Sequence, residues 1–113
     1  PSLRQLLARH PALLLLDAAS ARVEVSLWHA DAPGAPRARA SLEGEASVAL
    51  PAAIARVLAE SGDGSGAANG PALRIQNLDA VAFCDGPGSV LGIRLAAATV
   101  RAWRAVRPGL AAY

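Results

Sequence analysis

The stretch "LDAVAFCDGPGSVLGIRLAAATV", residues 78–100, decides the fold of this 113-residue chain. Its first eight residues form a short apolar run of the kind that makes a buried strand. Residues 89–107 follow as a long helix, which Pro108 and Gly109 end. Between the two lies the turn Gly86–Ser89. Its proline fixes φ, its two glycines can adopt backbone angles closed to other residues, and its serine can cap the helix. The sequence therefore predicts a strand, a tight turn and a helix in close succession.

Upstream of this stretch, hydrophobic periodicity predicts three more strands and two helices. Residues 2–9 form a short helix, residues 12–17 a buried strand, residues 22–29 an alternating strand and residues 37–43 an alanine-rich one. Residues 47–60 return to helical spacing. Downstream of the quoted stretch, residues 110–113 begin a last strand. After the first helix, the order β-β-β-α-β-α-β predicts a mixed sheet in which the helix-linked strands pair in parallel. We predict one domain over residues 1–113 with a flexible loop at residues 61–72.

Composition excludes several classes of function. The net charge of +2 is too small to predict nucleic-acid binding. The single cysteine, Cys84, excludes an internal disulfide and favours a reducing, cytoplasmic location. No apolar run approaches the ~20 residues that span a bilayer. His10 and His29 belong to no metal-ligand pattern, and no nucleophile motif is present, so we expect neither a metal site nor a catalytic residue.

The glycine-rich turn has two interpretations. A helix N-terminus with free N–H groups attracts anions, and Asp17 ends the first predicted strand, so the two together form a candidate cofactor site for ATP or phosphate. The turn nevertheless lacks both the Walker lysine and the dinucleotide glycine spacing. A purely structural role therefore stays open. The candidate cofactor residues are Asp17, Gly86, Pro87, Gly88 and Ser89.

The long helix has more apolar surface than one sheet needs. Arg94, Arg101 and Arg104 fall within one narrow arc, and apolar residues fill more than half of the circumference. A helix packed on a single sheet requires an apolar stripe of only about 100°. The excess predicts a protein partner. The predicted partner surface comprises Leu50, Ile54, Val57, Val90, Ile93, Arg94, Ala97, Val100, Arg101 and Arg104.

These segments resemble the bacterial TsaB (YeaZ) family. "LDAVAFCDGPGSVLGIRLAAATVRAW" is similar to that family's central signature, and the core Gly86–Arg94 carries most of the specificity. The opening "LLLLDAASARVEVSLW" and the helix "SVALPAAIARVLAESG" resemble the corresponding family segments in the same order. The resemblance runs from about Leu13 to the end of the chain and covers the family's N-terminal lobe only.

The resemblance implies a fold and a function. The fold is a single α/β lobe of the RNase H-like (actin, sugar-kinase and Hsp70) type. The function is support of tRNA N6-threonylcarbamoyladenosine synthesis by a non-catalytic, cytoplasmic subunit. That subunit acts beside a catalytic TsaD-like and an ATPase TsaE-like protein, and it pairs with the TsaD-like protein or with itself as a homodimer.

Several residues depart from the family pattern. Asp17 is followed by two alanines where the family has Thr-Ser, and Asp85 replaces an arginine next to the turn. Val90 and Leu91 replace Phe and Thr. These changes argue against bound ATP and magnesium, so we expect no cofactor. An ATP- or phosphate-binding enzyme of this fold, or a degenerate homologue that retains only dimerisation, are the alternatives.

Overall fold

The computed structural model describes residues 2–60, 78–84, 86 and 88–113 of the chain. These residues form, in order, α1 (Leu3–Arg9), β1 (Ala12–Asp17), β2 (Arg22–His29), β3 (Ala38–Glu43), α2 (Ala46–Glu60), β4 (Ala80–Phe83), α3 (Val90–Val106) and β5 (Ala111–Ala112). The predicted order of elements is confirmed. The predicted flexible loop at residues 61–72 lies outside the described residues.

β1 lies in the middle of a mixed five-stranded sheet with the order β3-β2-β1-β4-β5. It pairs antiparallel with β2 and parallel with β4, so that Leu14 lies between Leu27 on one side and Val81 on the other. β3 continues the antiparallel meander, and β5 pairs in parallel with β4. The parallel pairs arise because the connections that contain α2 and α3 return the chain to the same end of the sheet.

Helices cover both faces of the sheet, and the side chains of β1 divide between them. Leu14 and Leu16 belong to the main core, which α2 and α3 form with one face of the sheet. Leu13 belongs to a second, smaller core with α1, on the other face. Because β1 is buried on both faces, its sequence is a continuous apolar run, whereas β2 alternates, with Glu24 and Ser26 only half-buried.

α1 is only seven residues long, and capping and packing hold it in place. The Ser2 hydroxyl accepts the Gln5 N–H at 3.2 Å, and the Gln5 side-chain oxygen accepts the Ser2 N–H at 2.9 Å, which forms a capping box. Leu6 and Leu7 are buried against the sheet. α1 therefore covers a face that the two longer helices do not reach.

The described part of the chain has no helix that is long and apolar enough to cross a membrane.

Replacing Leu7 by Ala tests whether α1 packs on the sheet in solution. Leu7 is 4% exposed, and truncation of a buried leucine costs about 2–5 kcal/mol of unfolding free energy. We expect urea unfolding of L7A to show a loss in that range. The exposed Arg4→Ala control should change the free energy by less than about 0.5 kcal/mol. Equal stability of the two variants would mean that α1 is not docked.

Candidate functional site

β1 and β4 end at the same edge of the sheet, because they run parallel. The Cys84 N–H still donates to the Leu16 carbonyl at 3.0 Å, and beyond this bond both segments leave the sheet. β1 leads through Asp17 into the turn at residues 18–21, and β4 leads to Ser89, the N-cap of α3. Open α/β sheets bind ligands at the carboxyl ends of their parallel strands, so a ligand site is expected at this edge of the sheet.

Two glycines let the first turn of α3 lie directly on the backbone that follows β1. A Cβ atom on Gly92 would lie 1.7 Å from the Ala18 carbonyl oxygen. A Cβ atom on Gly88, whose φ is +154°, would lie 2.1 Å from the Ala19 carbonyl oxygen. The Ser89 N–H donates to that same carbonyl at 2.5 Å. The turn therefore shapes the chain, because it brings α3 into backbone contact with residues 18–19.

Two backbone N–H groups at this helix end, those of Ser89 and Gly92, are engaged within the chain. The Ser89 N–H is donated to Ala19, and the Gly92 N–H is donated to the Ser89 hydroxyl at 3.1 Å, which is an ordinary N-cap. The Asp17 carboxylate accepts the Ala19 N–H at 3.1 Å. An anion at the start of α3 would have to compete with these hydrogen bonds.

A cleft of about 550 Å³ lies beside this contact, between the beginnings of α2 and α3. Residues 18–21 and 44–47 line it together with Ser89 and Leu91. Among these lining residues, Glu45 supplies the charge, and none of them is basic. A phosphate group would therefore meet a carboxylate without a compensating cation, which is electrostatically unfavourable.

The predicted cofactor residues are thus only partly brought together. Asp17 and Ser89 lie at the same edge of the sheet, each engaged in local hydrogen bonds, and Gly86 and Gly88 shape the turn between β4 and α3. Pro87 lies outside the described residues. Within the described ranges, no group of three or more His, Cys, Asp or Glu residues is arranged to hold a metal ion.

The residues of the predicted partner surface divide between core and surface. Leu50, Ile54 and Val57 of α2 and Val100 of α3 are buried in the main core. We correct their assignment from partner surface to core, because the sheet and helices of the same chain already cover them. Ile93 and Ala97 are half-buried, and the exposed members are Val90, Arg94, Arg101 and Arg104.

Arg104 is exposed but has a structural contact. Its Nε donates to the Leu110 carbonyl at 3.1 Å, which ties the last turn of α3 to the residue before β5. The neighbouring Arg107 donates to the Leu78 carbonyl, next to the start of β4. These two arginines therefore help to hold the end of α3 against the sheet.

A second apolar line, which the predicted surface did not include, runs along the exposed face of α3. Leu91, Ala98, Ala102 and Ala105 are all exposed and recur at intervals of seven, four and three residues. At 3.6 residues per turn they fall within an arc of about 60°. We call these four residues the outward seam. Heptad-like spacing is the signal in the sequence that identifies it.

The outward seam is distinct from the line by which α3 packs on its own chain. That buried line consists of Gly92, Ala96 and Val100. It lies on the other side of the helix, so the seam stays uncovered by the described residues. Leu91 lies at the start of the seam, is 64% exposed and has the largest side chain of the four seam residues.

Comparison with solved structures identifies proteins of similar fold. YeaZ from Pseudomonas aeruginosa superimposes with a TM-score of 0.65 and 24% identity. The chain has the fold of YeaZ. A second structure, of an uncharacterized protein with similarity to peptidase YeaZ from Pseudomonas aeruginosa, gives a TM-score of 0.59, also at 24% identity. Each alignment covers 90% of this chain and 42% of the other, so this chain spans less than half the length of these YeaZ-like chains.

The structural similarity bears out, at the level of fold, the resemblance to YeaZ that the sequence suggested. No protein-family model and no curated protein matches the sequence.

Gly92→Ala tests the backbone contact at the start of α3. Alanine is favoured over glycine in a helix by about 1 kcal/mol, so without a clash the variant would gain stability. Because the new Cβ would lie 1.7 Å from the Ala18 oxygen, we expect the clash to outweigh that gain and to leave a net loss of about 2 kcal/mol in urea unfolding. Gly109→Ala, where the space is open, should be tolerated. A G92A variant as stable as G109A would contradict the contact.

Addition of ATP and magnesium tests the candidate cofactor site. A ligand that binds only the folded state raises the melting temperature by mass action. Given that the Ser89 and Gly92 N–H groups are engaged and that the Glu45 carboxylate lines the cleft, we expect no shift in a thermal unfolding scan. A rise that Asp17→Asn abolishes would instead establish a nucleotide site at this edge.

Proposed function

We propose that this chain is a TsaB-like, non-catalytic subunit that acts by binding another protein. The partner in this proposal is a TsaD-like subunit, and the process is tRNA N6-threonylcarbamoyladenosine synthesis together with a TsaE-like ATPase. The outward seam of α3 is the single observation that carries the proposal. The similarity to YeaZ supports the choice of family, and the strand order β3-β2-β1-β4-β5 supports an RNase H-like lobe.

The seam has the composition of a surface for close helix packing. Ala98, Ala102 and Ala105 leave room for a second helix to approach closely, and Leu91 offers a larger side chain at one end. Burying an exposed leucine side chain contributes about 1.5–3 kcal/mol. Burial of the seam against a partner helix would therefore stabilise a complex.

Charges beside the seam constrain the partner. Arg94 and Arg101 lie next to the seam on the exposed face of α3. Charged residues that flank an apolar seam select partners of opposite charge. We therefore propose a partner helix with small or apolar residues in register with the seam and acidic residues opposite Arg94 and Arg101.

Ala98→Glu tests this proposal. The substitution places a carboxylate in the middle of the seam, where a docked helix would desolvate it. In isothermal titration with the TsaD-like subunit encoded in the same genome, we expect binding at least about tenfold weaker, or 1.4 kcal/mol. Ala59→Glu, at an exposed position of α2, is the matched control and should bind like the wild type.

Two results would refute the proposal. One is a wild-type chain, with a normal folded circular dichroism spectrum, that does not bind the TsaD-like subunit. The other is equal binding by A98E and A59E, which would move any interface away from the seam.

A further inference from the structure

The cleft of about 550 Å³ between the beginnings of α2 and α3 adjoins the outward seam, because Leu91 belongs to both. Its walls are built largely from small apolar side chains, those of Ala18, Ala19, Ala21 and Ala46. The cleft therefore offers apolar contact to a narrow side chain that enters it from a partner docked on the seam.

Large apolar side chains are exposed beside the cleft. Val48 follows the lining residue Ser47 in the first turn of α2, and Val90 precedes Leu91 in the first turn of α3. Together with Leu91, these valines make up three of the five large apolar side chains that are exposed in the described part of the chain. Grouped apolar side chains on a surface are typical of a protein interaction site.

Glu45 brings a negative charge into this apolar surrounding. Its side chain is exposed, and it lines the cleft where α2 begins. The ion pairs among the described residues use Arg22, Arg37 and Arg39 with other acids, and none of them includes Glu45. The Glu45 carboxylate is therefore available to a cation from outside the described residues.

The helix ends beside the cleft do not supply that cation. A helix N-terminus carries partial positive charge because its first N–H groups lack helical partners. At this cleft the N–H groups of Ser89 and Gly92 are bonded within the chain, and those of Val48 and Ala49 donate to the Glu45 carbonyl at 3.0 and 2.7 Å. The carboxylate thus remains the full charge of the cleft lining, and it favours a cationic group.

We propose that the cleft binds an arginine side chain of the partner subunit, with its guanidinium group on the Glu45 carboxylate and its aliphatic stem against the alanine walls. Arginine fits this combination because its stem is apolar and its planar head can form two parallel hydrogen bonds with a carboxylate. The inference rests on the proposed function, since the arginine belongs to the TsaD-like subunit that docks on the outward seam.

The position of the cleft gives the docked helix a direction. Glu45 lies beside Leu91 at the start of the seam, whereas Arg94 and Arg101 flank the seam farther along α3. From Leu91 to Ala105 the seam extends about 21 Å. The partner helix therefore carries its arginine at the Leu91 end and its acidic residues beyond it. A helix docked in the opposite direction would carry its arginine away from Glu45.

Glu45→Gln and Glu45→Arg test the contact with the arginine. E45Q keeps the size of the side chain and removes its charge, and E45R reverses the charge. In isothermal titration with the TsaD-like subunit, we expect binding at least about tenfold weaker for E45Q and weaker still for E45R. Glu60→Arg, at the exposed far end of the same helix, is the matched control and should bind like the wild type.

A charge swap identifies the arginine on the partner. Each arginine on the exposed helices of the TsaD-like subunit is changed to glutamate in turn and titrated with the wild-type chain and with E45R. We expect one such variant to bind the wild-type chain weakly and to bind E45R at least about tenfold more tightly than the unchanged partner does. Misfolding of either chain could not produce this recovery.

Ala21→Leu tests whether the volume of the cleft is used. The substitution narrows the cleft without changing its charge, and because Ala21 is exposed, the fold should accept a leucine there. We expect A21L to keep the wild-type circular dichroism spectrum and to bind the TsaD-like subunit at least about tenfold more weakly. Should E45R not fold, E45Q and A21L decide.

The inference is overturned if E45Q, E45R and A21L all bind like the wild type, or if no charge swap restores binding. When A98E loses the partner and these three variants keep it, the seam stands and the cleft has no role. When E45R and A21L lose the partner and A98E keeps it, the arginine contact stands and the seam is refuted. A folded wild-type chain that does not bind the TsaD-like subunit overturns both proposals.

Discussion

The contact between the first turn of α3 and the backbone after β1 is the constraint on which the rest of the structure depends. Gly92 lies against the Ala18 carbonyl so closely that no Cβ fits, and Ser89 donates to Ala19. This contact determines where α3 starts and which side of it faces the sheet. It also uses N–H groups that a bound anion would need, so the same geometry that builds the fold opposes the use of this helix end as a phosphate cradle.

The two sides of α3 follow from this close approach. Its buried line contains a glycine, an alanine and a valine, and the larger Leu95 and Trp103 pack against the main core as half-buried residues. Leu91, by contrast, lies on the outer side and is 64% exposed. Near the end of the helix, Arg104 and Arg107 bind carbonyl groups of their own chain. The basic residues left to flank the outward seam are therefore Arg94 and Arg101.

α3 thus carries one candidate surface for a partner. The outward seam of α3 is apolar and has no internal symmetry, which suits a different protein.

The sequence by itself determined the order of elements, since the continuous apolar run of β1, the alternation of β2 and the helical spacing of α2 and α3 each depend on local burial patterns. It also identified the YeaZ-like fold through the Gly86–Arg94 core. Only the tertiary structure decided that Leu50, Ile54, Val57 and Val100 are core residues. The sequence shows that the apolar arc of a helix is wider than one sheet needs, but it does not show which part of that arc faces the sheet. For α3 and Val100, the backbone contact at Gly92 with Ala18 makes that choice, between residues far apart in the chain; for α2, its packing on β2 and β3 makes it.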